Sequence, residues 1–67
     1  MNTMKRAKEL ACRKNLTLFK LAQISGLAPS VFGNCERRGG QLSVDTIEKI
    51  CYGLDISLAD FFTEEAT

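Results

Sequence analysis

The chain has 67 residues, 45% of them apolar, which is the composition of one small globular domain and too apolar for a disordered tail. Nine Lys and Arg against eight Asp and Glu give a net charge of only +1. Residues 1–42, however, have a net charge of +6 and residues 43–67 a net charge of −5, so the total does not exclude a polyanionic partner.

Several functional classes are disfavoured by what the sequence lacks. No apolar run approaches the roughly 18 residues of a membrane-spanning helix, and the charged N-terminal region does not resemble a signal peptide, so we expect a cytoplasmic protein. Three cysteines without a CxxC pair are not typical of a secreted disulfide framework. The absence of His disfavours zinc and removes the commonest general base, and no GxSxG, P-loop or GxGxxG motif occurs. We therefore expect no enzyme, catalytic residue, metal or cofactor.

Apolar residues recur at helical spacing along the chain, whereas strand-type alternation is weak. In the first predicted helix the apolar positions are Met4, Ala7, Leu10 and Ala11. Five helices are predicted, over about 3–14, 18–25, 29–37, 44–53 and 58–63. Their short connections predict a single all-α domain, with a core region at 4–62 and a frayed tail at 63–67.

Local signals mark where these helices begin and end. Thr17, Ser43 and Ser57 are predicted N-caps, and each follows an apolar residue that has the spacing of a hydrophobic staple. The third helix has the staple but a poor cap, Ala28, and Pro29 takes its first position. Residues suited to a left-handed backbone predict the helix ends, namely Asn15, Gly26, Gly39, Gly40 and Asp55.

The connection between the second and third predicted helices has the form of a helix-turn-helix, with Gly26 in a turn of few residues before Pro29. The surrounding sequence resembles the Cro/repressor-type (Xre) helix-turn-helix family over about residues 4–62. The resemblance rests on Leu16-Thr17-Leu18, Leu21-Ala22, Ser25-Gly26-Leu27, Ser30, Glu36-Arg37, Leu42-Ser43-Val44-Asp45-Thr46-Ile47 and Leu54-Asp55-Ile56-Ser57-Leu58-Ala59-Asp60-Phe61-Phe62. It implies a five-helix, lambda-repressor-like domain that binds double-stranded operator DNA, usually as a homodimer, and regulates transcription.

This resemblance makes residues 29–37 the recognition helix, with Phe32 and Cys35 facing the core. Candidates for base contacts are Pro29, Ser30, Gly33 and Asn34, of which Asn34 could form two hydrogen bonds with an adenine edge. Gly33 either allows the backbone to approach DNA closely or is simply tolerated. Candidates for phosphate contacts are Thr17, Lys20, Arg37 and Arg38, although an isolated exposed Lys is also explained as a solvated charge.

Three positions depart from the family pattern. Leu18 stands where Gln often contacts phosphate, and Asp55 replaces a frequent Gly. Ala11 stands where an Arg commonly pairs with the Glu of the third helix, which leaves Glu36 without its usual partner.

The fifth helix and its approach present more apolar surface than so short a helix buries alone. We therefore expect a homodimer through the 54–63 region, the alternative being that both Phe residues close the core of the monomer. The candidate dimer contacts are Leu54, Ile56, Leu58, Phe61 and Phe62.

A second hypothesis is a protein-binding module of the same fold, antitoxin-like or a repressor partner, with weak or no DNA binding. It is indicated by the apolar side chains of Leu18, Phe19, Pro29 and Val31 near the recognition helix.

Cys35 and Cys51 are expected to be buried, whereas Cys12, exposed beside Arg13, allows a thiol switch. No effector domain is evident, so we expect no small-molecule effector within this chain.

Overall fold

The computed structural model describes residues 2–63, which form five α-helices and no strand. The helices are α1 (Thr3–Arg13), α2 (Leu18–Ile24), α3 (Ser30–Arg37), α4 (Val44–Leu54) and α5 (Leu58–Phe62). The all-α prediction is confirmed, and each predicted bound lies within one residue of the observed one. None of these helices is long and apolar enough to cross a membrane.

The predicted N-caps are confirmed. The hydroxyl oxygens of Thr17, Ser43 and Ser57 accept hydrogen bonds from backbone N–H groups three residues later, at 3.1, 3.2 and 3.0 Å. At α5 the carboxylate of Asp60 also accepts from the Ser57 N–H at 3.4 Å, which completes a capping box. Asn2, which the sequence did not reveal as a cap, serves α1 in the same way by accepting from the Lys5 N–H at 2.8 Å.

The predicted helix ends are confirmed as well. All of these residues have a left-handed backbone, with φ between 58° and 102°, at Asn15, Gly26, Gly39, Gly40 and Asp55. Asp55 adopts this backbone at some conformational cost, since only Gly does so without a Cβ penalty.

Helix α1 is central to the packing, because it contacts α2, α3 and α5, while α4 packs against α2 and α5. The side chains between them form a single core that includes Phe61 from the last helix. The core residues are Met4, Ala7, Leu10, Ala11, Leu21, Ala22, Phe32, Cys35, Leu42, Ile47, Ile50, Cys51, Leu54 and Phe61.

A buried arginine joins α1 to the end of α5. Arg6 is only 5% exposed, and its Nε donates to the Phe61 carbonyl at 2.7 Å. Its Nη2 donates to the carbonyls of Asp60 and Thr63 at 2.9 and 2.6 Å, and its Nη1 pairs with Glu9. The last carbonyls of a helix have no partner within the helix and bear partial negative charge. The guanidinium gives these carbonyls hydrogen-bond donors and an opposite charge.

Arg6 also bears on the predicted tail at 63–67. Thr63 is held by Arg6 and by its own N–H and hydroxyl, which both donate to the Ala59 carbonyl, at 3.0 and 2.7 Å. Residues 64–67 of that prediction lie outside the described residues.

The loop after α3 is fixed to the start of α1. The Met4 N–H donates to the Gly40 carbonyl at 3.0 Å, and the Leu42 N–H donates to the Thr3 hydroxyl oxygen at 2.6 Å. Thr3 in turn donates to the Gln41 side chain at 3.1 Å. The path of the loop that follows α3 is therefore fixed by hydrogen bonds to α1.

Candidate functional site

Helices α2 and α3 are joined by the predicted short turn. Gly26 has a left-handed backbone, with φ 71°, and the Leu27 N–H donates to the Ala22 carbonyl at 2.8 Å. Phe32 and Cys35 bury one side of α3, at 3% and 1% exposure, as the sequence predicted. The orientation of α3 on the domain is thus set by this turn and by packing against α1.

The outer side of α3 contains all four candidates for base contacts, Pro29, Ser30, Gly33 and Asn34, and all are exposed. An α-helix with its side chains is about 10–12 Å across, and the major groove of DNA, about 12 Å wide, admits one. A Cβ on Gly33 would have nothing within 4 Å, so no packing within the chain requires a glycine there.

Asn34 does not stand alone on this surface. The Nη2 of Arg37, one turn later on α3, donates a hydrogen bond to the Oδ1 of Asn34. Asn34, a candidate for base contacts, and Arg37, a candidate for phosphate contacts, are therefore joined by a hydrogen bond.

The candidates for phosphate contacts come from the start of α2 and from the end of α3. Lys20 in α2, Arg37 in α3 and Arg38 just after it are exposed, and none belongs to a salt bridge among the described residues. The Thr17 oxygen already accepts from the Lys20 N–H, yet its hydroxyl proton remains a donor for a phosphate oxygen.

Glu36 has a partner that the sequence analysis did not identify. Lys8 Nζ on α1 lies 2.7 Å from Glu36 Oε2 on α3. Both side chains are about half exposed, so the pair adds little to stability. It borders an open cavity of about 330 Å³ between α1 and the loop after α3, lined by Asn2, Met4, Lys5, Lys8, Glu36, Gly39 and Gly40.

The candidates for dimer contacts separate into two groups. Leu54 and Phe61 are 3% and 0% exposed and belong to the core of the single chain, so they are not available to a partner. Leu58 and Phe62 are 39% and 47% exposed, and Ile56 is partly buried. Of the two aromatic rings, Phe61 closes the core and Phe62 packs edge-on against it, with 5.2 Å between ring centroids.

Sequence reasoning missed two exposed apolar side chains on α4. Tyr52 is 88% exposed and Val44 is 66% exposed, although both stand in α4 beside apolar positions that are buried. Helical spacing alone cannot separate a core residue from one at the edge of the apolar stripe.

The cysteines lie where the sequence predicted. Cys12 is exposed, and Cys35 and Cys51 are buried free thiols. Burial raises the pKa of both buried thiols, and for Cys51 the carboxylates of Asp60 and Glu48 raise the pKa further. No group of three or more His, Cys, Asp or Glu residues within 2–63 is arranged to hold a metal ion.

Four of the six acidic residues within 2–63 lie outside α1 and α3, whereas Glu9 lies on α1 and Glu36 on α3 itself, where they pair with Arg6 and Lys8. Asp45, Glu48, Asp55 and Asp60 belong to α4, α5 and their connection. Helix α4 packs against α2 and α5, and α5 also packs against α1, whereas α3 packs chiefly against α1.

Comparisons of the chain with protein-family models, with curated proteins and with solved structures give no match.

Proposed function

We propose that the protein is a sequence-specific DNA-binding transcriptional regulator with a lambda-repressor-like fold, which inserts α3 into the major groove of an operator. The observation that carries the proposal is the outer face of α3, where small and amide-bearing side chains stand exposed on a helix whose other face is buried in the core. A helix held in this way after a short turn is the element that helix-turn-helix proteins use for base contacts.

The charges around α3 support the same proposal. Lys20 on α2 and Arg37 and Arg38 at the end of α3 are exposed and have no salt-bridge partners among residues 2–63, so their charges are available to phosphates. Glu36, the acidic residue of α3, is paired with Lys8, and four further acidic residues lie on α4, α5 and their connection. A second copy would associate through Leu58 and Phe62 near the end of the acidic region, and regulation would follow from occupation of a promoter or recruitment there.

A titration of duplex DNA across salt concentrations tests the electrostatic part of the proposal. Affinity is expected to fall as salt rises, and Arg38→Ala is expected to weaken binding to all sequences alike and to lower the salt slope by about 0.9. Lys49→Ala is the matched control, because Lys49 lies on α4 and pairs with Asp45 at 3.4 Å. Affinity that does not change between low and moderate salt would contradict the proposal.

Gly33→Ala tests whether α3 meets DNA with its backbone. The added methyl has no neighbour in the free protein, so stability is expected to rise by about 0.5–1 kcal/mol through helix propensity. In the complex the same methyl would stand between α3 and the bases, and duplex affinity is expected to fall about tenfold or more. Thermal unfolding and the duplex titration measure the two effects, and unchanged affinity would mean that Gly33 is merely tolerated.

The second candidate function, a protein-binding module of the same fold, has one observation in its favour. Phe19 is 58% exposed on α2, and Pro29 is exposed just before α3. Leu18 and Val31, in contrast, pack partly against the core. A stable complex with a protein, lost in Phe19→Ser, together with no measurable duplex binding, would favour this function over the first.

A further inference from the structure

The hydrogen bond between Arg37 and Asn34 bears on which base the site prefers. We propose that Arg37 is a positioning residue that turns Asn34 into a hydrogen-bond donor, so that Asn34 selects guanine rather than adenine. The inference rests on the proposed insertion of α3 into the major groove. It replaces the adenine contact expected from the Asn34 side chain alone.

The orientation of the Asn34 amide follows from the chemistry of its neighbour. A guanidinium has only donors, and an asparagine amide has an acceptor oxygen and a donor nitrogen. With Arg37 Nη2 donating to Oδ1, rotation of the amide by half a turn would bring two donors together and lose the bond. Oδ1 has a second lone pair, but its cationic partner holds that oxygen toward Arg37, so the two N–H groups of Nδ2 are the edge of the amide that remains for another partner.

An Asn that contacts adenine in two places needs both of its polar atoms. It accepts from the adenine N6 amine with Oδ1 and donates to N7 with Nδ2. Guanine presents two acceptors in the major groove, N7 and O6, which suit a donor alone. The positive charge of Arg37 beside the amide adds to this preference, since it attracts the acceptor edge of guanine and repels the amine of adenine.

Arg38 gives a matched control for Arg37. It is the adjacent residue, has the same side chain and is also exposed, but it follows the last residue of α3. Because neither side chain is buried, replacement of either by Met is expected to leave the fold intact. A difference between the two variants in base preference therefore reports on the contact with Asn34 rather than on charge or folding.

The experiment selects preferred duplexes from a random pool with the full chain and with four variants. The wild type is expected to enrich guanine about tenfold over adenine at one position of each half-site. Arg37→Met is expected to change that position to adenine, because the released amide can then use both atoms. Arg38→Met and Arg37→Lys are expected to keep guanine, the first with weaker binding overall and the second because Lys still donates to Oδ1. Asn34→Ala is expected to lose the preference at that position alone.

Three results would overturn the inference. The wild type would select adenine, or Arg37→Met and Arg38→Met would give the same consensus, or Asn34→Ala would keep its guanine, which would mean that Arg37 contacts the base itself. Each of these leaves the proposed DNA-binding function standing. Failure of the wild type to enrich any duplex overturns both the proposed function and this inference.

Discussion

Replacement of Arg6 by Met is expected to lower the free energy of unfolding by about 3–5 kcal/mol, which is most of the stability of so small a domain. Arg6 donates to the carbonyls of Asp60, Phe61 and Thr63 at 2.6–2.9 Å, and the guanidinium is almost completely buried. Met fills a similar volume but donates no hydrogen bond, so the buried Phe61 carbonyl loses its partner at about 1–3 kcal/mol, and the partly buried carbonyls of Asp60 and Thr63 lose theirs as well.

Urea unfolding followed by helix circular dichroism measures this loss, and two variants sharpen it. Lys5→Met is the control, because Lys5 is the exposed neighbour on the same turn of α1 and a change within about 0.5 kcal/mol is expected there. Arg6→Lys is expected to be intermediate, since an ammonium keeps the charge but cannot span the same carbonyls. An Arg6→Met protein as stable as Lys5→Met would show that the C-terminal end of α5 does not depend on the guanidinium.

Gly53→Ala is expected to destabilise the protein by about 1–3 kcal/mol although alanine is the better helix former. Gly53 lies on α4 where α2 crosses closely, and a Cβ there would stand 2.9 Å from the Ile24 carbonyl oxygen and 2.8 Å from Ser25 Oγ. The serine oxygen can turn aside, but the Ile24 carbonyl is backbone at the end of α2. Helix α2 therefore has to move away from α4.

The paired substitution Gly33→Ala makes this prediction specific. Both glycines lie inside helices and both changes add one methyl, yet only Gly53 has backbone within van der Waals distance. Thermal unfolding should therefore give changes of opposite sign. A Gly53→Ala protein that gains stability as Gly33→Ala does would show that α2 and α4 are not in close contact. Because α2 precedes the turn to α3, the displaced helix is also expected to reduce duplex affinity.

The helix bounds could be predicted from the sequence because the signals that set them are local. A cap such as Ser43 acts on the N–H three residues later, and a left-handed residue such as Asp55 ends the helix that precedes it. Arg6 could not be identified in this way, since its partners are more than fifty residues along the chain. A charged side chain is usually exposed, and only the fold shows that the guanidinium of Arg6 meets the carbonyls at the end of α5.

The candidate site was predictable to a similar extent. The exposure of Ser30 and Asn34 follows from the helical positions of Phe32 and Cys35, which one can read along the chain. The contact of Asn34 with Arg37 has the i, i+3 spacing of neighbours on a helix, so the sequence contains a signal for this contact. The pairing of Lys8 with Glu36 joins two helices and had no such signal.

Two segments far apart in the chain, the loop after α3 and the last turn of α5, are fastened to α1 by Thr3 and Arg6, and this has a consequence for how the molecule opens. Thr3 binds the loop after α3 and Arg6 binds the last turn of α5, while α1 also supports α3. Local opening at either contact therefore weakens the support that α1 gives to α3. The domain is accordingly expected to unfold as one cooperative unit. By linkage, a duplex that binds α3 would lower the population of opened molecules and slow proteolysis at the ends of the chain, far from any contact with DNA.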